Sequence, residues 1–166
     1  MQLEKFTIKA QEALGRAQQL AQSAGNPQIE TEHLLGALLD QEGGLTVPIL
    51  ERIGVNHAGL RAQAAQQLER LSHVSGGAQP SFSTRLRQAL DRAQANAQGM
   101  GDAYVSSEHV LMALTQEDDW TGRTLREHGV TKEVVRHSGT ARPAGEPPCP
   151  GSQRRRQIPV PGALRA

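Results

Sequence analysis

Two Glu-His pairs, Glu32-His33 and Glu108-His109, stand 76 residues apart in a chain of 166. If the segments that carry them faced each other, two imidazoles and two carboxylates would offer the donors of a zinc-type site, or an acid and a base for proton transfer. The spacing speaks against both. No short His-x-x-x-His pattern accompanies the pairs, and an acidic residue near a helix start is favoured by the helix dipole alone. The pairs therefore read as structural, and neither a metal nor a cofactor is expected. The other histidines, His57, His73, His128 and His137, are scattered over expected surface positions.

Nucleophilic and phosphate chemistry fare no better. Cys149 is the single cysteine; it sits among Pro147, Pro148 and Pro150, where nothing would lower its pKa, and alone it cannot form an intramolecular disulfide. No Ser/His/Asp arrangement has a supporting motif. A phosphate-cradling loop needs Gly-x-x-x-x-Gly-Lys-Ser/Thr. The only lysines are Lys5, Lys9 and Lys132, and none follows a glycine. The catalytic set is empty, ATP hydrolysis by this chain alone is excluded, and an enzyme is not expected. Arg154-Arg155-Arg156 could meet phosphates, but three arginines without stacking aromatics make a poor nucleic-acid motif.

The elements that must position these residues come in two copies. Phe6 aligns with Phe82 at an offset of 76, and at that offset Ala13-Leu14 meets Ala89-Leu90, Arg16-Ala17-Gln18 meets Arg92-Ala93-Gln94, Gly25 meets Gly101 and Glu32-His33 meets Glu108-His109. After one residue is dropped, Gly54-Val55 pairs with Gly129-Val130. Two long copies predict a pseudo-twofold pair of small helical bundles rather than a solenoid of many short units.

Each copy reads as about four helices. Thr7 caps a first helix with Ala10, Ala13, Leu14, Ala17 and Ala21 at helical spacing. Thr31 is read as the cap of a second, whose narrow leucine face of Leu34, Leu35, Leu38 and Leu39 should be core. Thr46 and Pro48 open a short third helix closed by Gly54. Asn56 caps a fourth that runs to Leu71. The second copy repeats the plan with Ser83, Ser107 and Thr131 as caps, but its last helix is expected to stop near His137, before Ser138-Gly139. The division is thus a domain over 1–137, with repeats at about 6–72 and 82–137 and a linker at 73–81, followed by a disordered Pro/Arg-rich tail over 138–166.

Composition agrees with an all-α fold. Hydrophobic residues make up 37% and aromatics 2%, too few strand formers for a β fold. The formal charge of +1 hides an asymmetry, since residues 138–166 hold five Arg against one Glu, and six of the nine prolines. No apolar run approaches the roughly 20 residues that span a bilayer, and the start lacks a signal-peptide pattern; a cytoplasmic monomer without a membrane partner is expected.

The start Met1-Gln2-Leu3-Glu4-Lys5-Phe6-Thr7, the segment Glu32-His33-Leu34-Leu35-Gly36-Ala37-Leu38-Leu39, the turn Gln41-Glu42-Gly43-Gly44 and the phrase Tyr104-Val105-Ser106-Ser107-Glu108 resemble the N-terminal repeat domain of the Clp ATPases, the ClpB-type disaggregase chaperones above all. The likeness covers residues 1 to about 137. It implies a non-catalytic module that docks unfolded or aggregated client protein, or an adaptor, for a ring of ATP-driven modules, and it places a polar client-contact patch on Thr7, Asp102 and Glu108. An apolar groove between the halves would be a second client surface, but its expected lining here, Arg92, Asn96 and His109, is polar. A free-standing adaptor of a separate Clp ATPase is the alternative reading, and a basic-tailed nucleic-acid binder a third.

The change of composition inside a helix that the first copy completes suggests that residues after His137 are an out-of-frame reading of a longer chaperone gene. Codons available to Ile158-Pro159-Val160-Pro161-Gly162-Ala163 permit Tyr-Gln-Tyr-Gln-Ala-Leu when read from their second base, similar to a Tyr-Gln-Ala-Leu phrase of the family. A helix cut short in this way should leave apolar surface exposed near Leu125, Val130, Val134 and Val135.

Overall fold

Alanine decides how closely the helices approach. The first helix, α1 (Ile8–Ser23), turns Ala10, Ala13, Leu14, Ala17 and Ala21 inward, and a face of small side chains lets the next helix lie near its backbone. The computed structural model describes residues 2–74 and 79–140, Thr140 by its backbone only. In chain order, a 3-10 turn (Leu3–Lys5) and α1 are followed by β1 (Gln28–Ile29), α2 (Thr31–Asp40), α3 (Thr46–Ile53) and α4 (His57–Glu69). The second half holds β2 (Ser81–Phe82), α5 (Thr84–Gly99), α6 (Ser107–Thr115), α7 (Trp120–Glu127) and α8 (Lys132–Thr140). The fold is all-α, built from two copies of one four-helix plan. The described caps at Thr7, Ser83 and Asn56 accept the backbone N–H of Ala10, Leu86 and Gly59, and Gly25 and Gly101 end α1 and α5 with φ of 72° and 74°, a left-handed turn that suits glycine.

The halves are less separable than two bundles side by side. The lead-in of each half pairs in parallel with the inter-helix segment of the other: Phe82 with Ile29 and Phe6 with Val105. These are the same pairing seen twice, 76 residues apart and exchanged. The halves also share one continuous apolar cluster from Phe6 to Val135. At its centre lie the twin helices α2 and α6, in which every residue from Thr31 to Leu39 and from Ser107 to Thr115 is buried. The narrow leucine face expected for α2 is therefore not what forms. It is covered on all sides, because α1, α3 and α4 pack on it from its own half and α5, α6 and α7 from the other.

Three further expectations are corrected. The caps of α2 and α6 are Glu30 and Ser106, one residue before Thr31 and Ser107; Thr31 is instead a buried first-turn residue whose hydroxyl donates to Asp119 Oδ2 at 2.7 Å across the halves. Helix α8 runs past His137 to Thr140, with Ser138 and Gly139 helical: Gly139 lies against the Glu108 carboxylate, where a Cβ would come within 2.3 Å of Oε2. Finally, Leu125, Val130 and Val135 are fully buried and Val134 is half-buried, because α8 packs on α6 and on α3 of the first half. The tail with Cys149 and Arg154-Arg155-Arg156, and the reading-frame suggestion that goes with it, lie outside the described residues.

Candidate client-binding site

The two Glu-His pairs owe their recurrence to hydrogen bonding at helix starts. In the first half His33 Nδ1 accepts the Glu30 N–H at 2.9 Å, and in the second His109 Nδ1 accepts the Ser106 N–H at 2.9 Å. The third residue of each helix thus reaches back to the capping amide, the part that Glu or Gln plays in a capping box. A ring nitrogen that accepts an amide proton keeps its lone pair, so the imidazole proton sits on Nε2. There it is donated to the residue seven positions earlier: Asn26 Oδ1 at 2.8 Å for His33 and Asp102 Oδ2 at 3.0 Å for His109. Burial pushes the pKa of His33 down to about 4, so it is neutral at physiological pH.

Glu32 is buried as well, at 2% exposure, and burial raises its pKa above the usual carboxylate range. It is not merely a surface charge favoured by the dipole. The ligand atoms of Asp102, Glu108 and His109 lie within 4.8 Å of one another, but both ring nitrogens of His109 are engaged as described. A cation there would have to displace a hydrogen bond that holds the start of α6.

Of the three expected contact residues, Asp102 and Glu108 lie together with His109, and Thr7 meets the same segment through its backbone. Thr7 donates its backbone N–H to Val105 O at 2.9 Å, so the 102–108 segment crosses directly beside the start of α1. Thr7 and Asp102 are half-buried, and Glu108 is 3% exposed. The groove residues behave otherwise than expected. Asn96 and His109 are buried, and the half-buried Arg92 is turned onto the Glu117 carboxylate and the Gln116 carbonyl. Asn96 and His109 belong to the interior, whereas the Arg92 side chain, 39% exposed, lies at the surface.

The apolar surface lies elsewhere. Ile8 is 75% exposed and Leu3 41%, flanking Thr7. Sequence reasoning passed over both, yet a signal was there. Ile8 stands off the inward stripe of α1, with Gln11, Glu12 and Gly15 as its neighbours at helical spacing, and its counterpart in the second half is the polar Thr84.

The sequence pattern of the Clp repeat (R) N-terminal domain matches residues 5–128. The chaperone protein ClpB of Mycobacterium tuberculosis is 40% identical over 133 residues, which is 80% of this chain and 16% of that protein; the ClpB of Mycobacterium leprae is 41% identical over 133 residues, with the same shares. This chain thus spans about 16% of the length of these relatives. Among solved structures, the Hsp104 N-terminal domain of Candida albicans superposes with a TM-score of 0.72 at 21% identity, over 82% of this chain and 90% of that one. A ClpV N-domain in complex with a VipB peptide gives 0.67 at 20% identity, over 84% and 87%. On the match of three quarters of its length to the family pattern, this chain belongs to the Clp N-terminal repeat family.

Proposed function

We propose that this chain is a non-catalytic docking module which captures unfolded or aggregated protein, or an adaptor, for a ClpB-type ATP-driven chaperone. The observation that carries this reading is the exposed Ile8 and Leu3 beside Thr7. Unfolded chains differ from folded ones in presenting apolar side chains together with free backbone amides, and two exposed aliphatic groups next to a hydroxyl meet both. Thr7 and Asp102 supply the polar contacts, and the buried Glu108 lies beside Asp102. The peptide-bound ClpV N-domain lends support, because the same fold there carries a segment of another protein. So small a patch suits weak, transient capture, which a delivery step requires.

The test is fluorescence anisotropy of labelled, reduced and carboxymethylated α-lactalbumin, a permanently unfolded protein, titrated with the full chain. Saturable binding that Ile8→Asp weakens roughly tenfold, at about 1.4 kcal/mol per tenfold, is the expected outcome. Binding that is absent, or unaffected by Ile8→Asp in a mutant with native circular dichroism, overturns the reading.

A further inference from the structure

One buried cluster ties the halves together, and its contacts call for more protons than its hydroxyls hold. Thr31 Oγ1, at the start of α2, lies 2.7 Å from Asp119 Oδ2, 3.1 Å from Thr121 Oγ1 and 3.3 Å from Glu32 Oε2. All of these residues are buried. A hydroxyl has one proton to give and two lone pairs to receive with. The shortest contact takes the Thr31 proton to the Asp119 carboxylate, and Thr121 donates into the second. The third contact sets the lone pairs of Glu32 against those of Thr31 unless Glu32 itself brings the proton. The twin position in the other half lacks this set: Ser107 Oγ, the counterpart of the Thr31 hydroxyl, has no hydrogen-bond partner among the described residues, and α3 is preceded by Leu45 where α7 is preceded by Asp119.

The surrounding charges favour the same proton. Arg85 of α5 is the cation that faces the cluster, and it is already shared between Glu30, the cap of α2, at 2.9 Å and Asp119, the cap of α7, at 3.6 Å. Glu32 is thus the third carboxylate beside one guanidinium. Burial raises its pKa; its own backbone N–H and Arg85 act against that, while Asp119 and Glu30 add to it. Further out, Glu117 is paired with Arg92 of α5, and His33 on α2, its pKa pushed down to about 4, is neutral above that pH. We propose that Glu32, Thr31, Thr121 and Asp119 form a proton-operated clasp between the halves: protonated Glu32 donates to Thr31, Thr31 donates to Asp119, and loss of the Glu32 proton to water loosens the start of α2 from the start of α7. The clasp closes as pH falls, opposite in sign to the neutral histidine one residue on.

The test follows the Glu32 carboxyl carbon by NMR during a pH titration of isotopically labelled full chain, the signal being assigned by its absence in Glu32→Gln. Emission of Trp120, next to Asp119 in the chain, is recorded in parallel. A Glu32 midpoint above the usual 4.5 is expected, with Trp120 changing at the same pH. Thr31→Val separates a hydrogen-bonded relay from burial alone. Loss of the acceptor for the Glu32 proton should lower the midpoint by about one pH unit, whereas a carboxyl that is merely buried gains an apolar neighbour and titrates higher. Thr31→Ser keeps the hydroxyl and should keep the midpoint. Glu32→Gln carries a permanent donor, so the Trp120 change at that pH should vanish; this comparison decides alone if Thr31→Val does not fold. A midpoint at or below 4.5, a midpoint unchanged or raised in Thr31→Val, or a Trp120 change that survives in Glu32→Gln would each overturn the inference.

Discussion

In the first half the buried imidazole of His33 donates to the amide oxygen of Asn26, whereas in the second its counterpart His109 faces the carboxylate of Asp102. The same contrast recurs at Gln41 against Glu117 and at Lys9 against Arg85. Lys9 pairs with the exposed Glu12 at 3.3 Å; Arg85 reaches Glu30 at 2.9 Å and the buried Asp119 at 3.6 Å. Many apolar positions, such as Leu14 and Leu90, Leu35 and Leu111 or Ala37 and Ala113, have kept their identity across the duplication, while at these three positions the second copy has gained a charge or a longer-reaching one. Packing constrains volume at each site and is met by the same residue at many of them. A hydrogen bond asks only for a donor and an acceptor, and can be met by an amide or by an ion.

The most severe way to break the comparison is to ask whether the halves stand alone. Leu35 and its counterpart Leu111 are both fully buried, and truncating either to alanine should cost about 2–5 kcal/mol. Trp120, the only tryptophan, lies in the second half. Because the lead-in strands are exchanged and the core is continuous, Leu35→Ala should move the Trp120 fluorescence transition in urea as far as the transition in circular dichroism. A fluorescence midpoint left at its wild-type value would mean that the second half folds by itself.

The neutral histidine makes the next largest difference. The unfolded chain takes up a proton at His33 near pH 6.5 and the native chain only near pH 4, so acidification across that window favours the unfolded chain, by about 3 kcal/mol at its lower end. Glu32 and Glu117 act in the opposite direction. Burial raises their pKa values in the native state, so as pH falls the native chain binds their protons first and gains stability relative to the unfolded one. The His33 contribution is isolated by His33→Gln, whose urea midpoint should fall less steeply than that of wild type between pH 6.5 and 4. Parallel pH profiles would refute the assignment.

Arg85 and Lys9 sharpen the same contrast without a pH change. Lys9→Ala removes an exposed i,i+3 pair and should cost a few tenths of a kcal/mol. Arg85→Ala leaves Asp119, whose side chain is 2% exposed, without its cation and should cost about 2 kcal/mol, reduced from the value for a fully buried pair because Arg85 itself is partly in water. Equal costs in denaturant would show that the inter-half pair contributes no more than the surface one.

The repeat, the all-α class and the caps at Thr7, Ser83 and Asn56 were legible because they depend on local spacing, which a single chain displays. What was not legible was set by contacts distant in sequence. Thr31 looked like a cap because its type suits one, but its hydroxyl is committed to Asp119 88 positions away, and the cap falls to Glu30 with His33 reaching back. The end of α8 was misplaced because Gly139 reads as a stop, when its missing side chain in fact makes room for Glu108. Of the residues expected along a groove, Asn96 and His109 are buried against partners of their own half, Gln116 and Asp102, which spacing alone does not display. That Ile8 stands off the inward stripe of α1 is legible from spacing alone.

The smallest effect concerns the two first caps, and it separates structure from recognition. Thr7 accepts the Ala10 N–H at 3.2 Å and Ser83 the Leu86 N–H at 3.1 Å, so Thr7→Ala and Ser83→Ala should each cost about 1 kcal/mol. The sites are otherwise unlike. Thr7 is half-buried beside the exposed Ile8, while Ser83 is 3% exposed beside the polar Thr84. If Thr7 contacts clients, Thr7→Ala should weaken capture of carboxymethylated α-lactalbumin at a temperature where both variants are fully folded, and Ser83→Ala should leave it at the wild-type value. An equal loss in both would trace the effect to helix stability. No loss in either would make Thr7 a cap and nothing more, with recognition left to the aliphatic groups of Leu3 and Ile8.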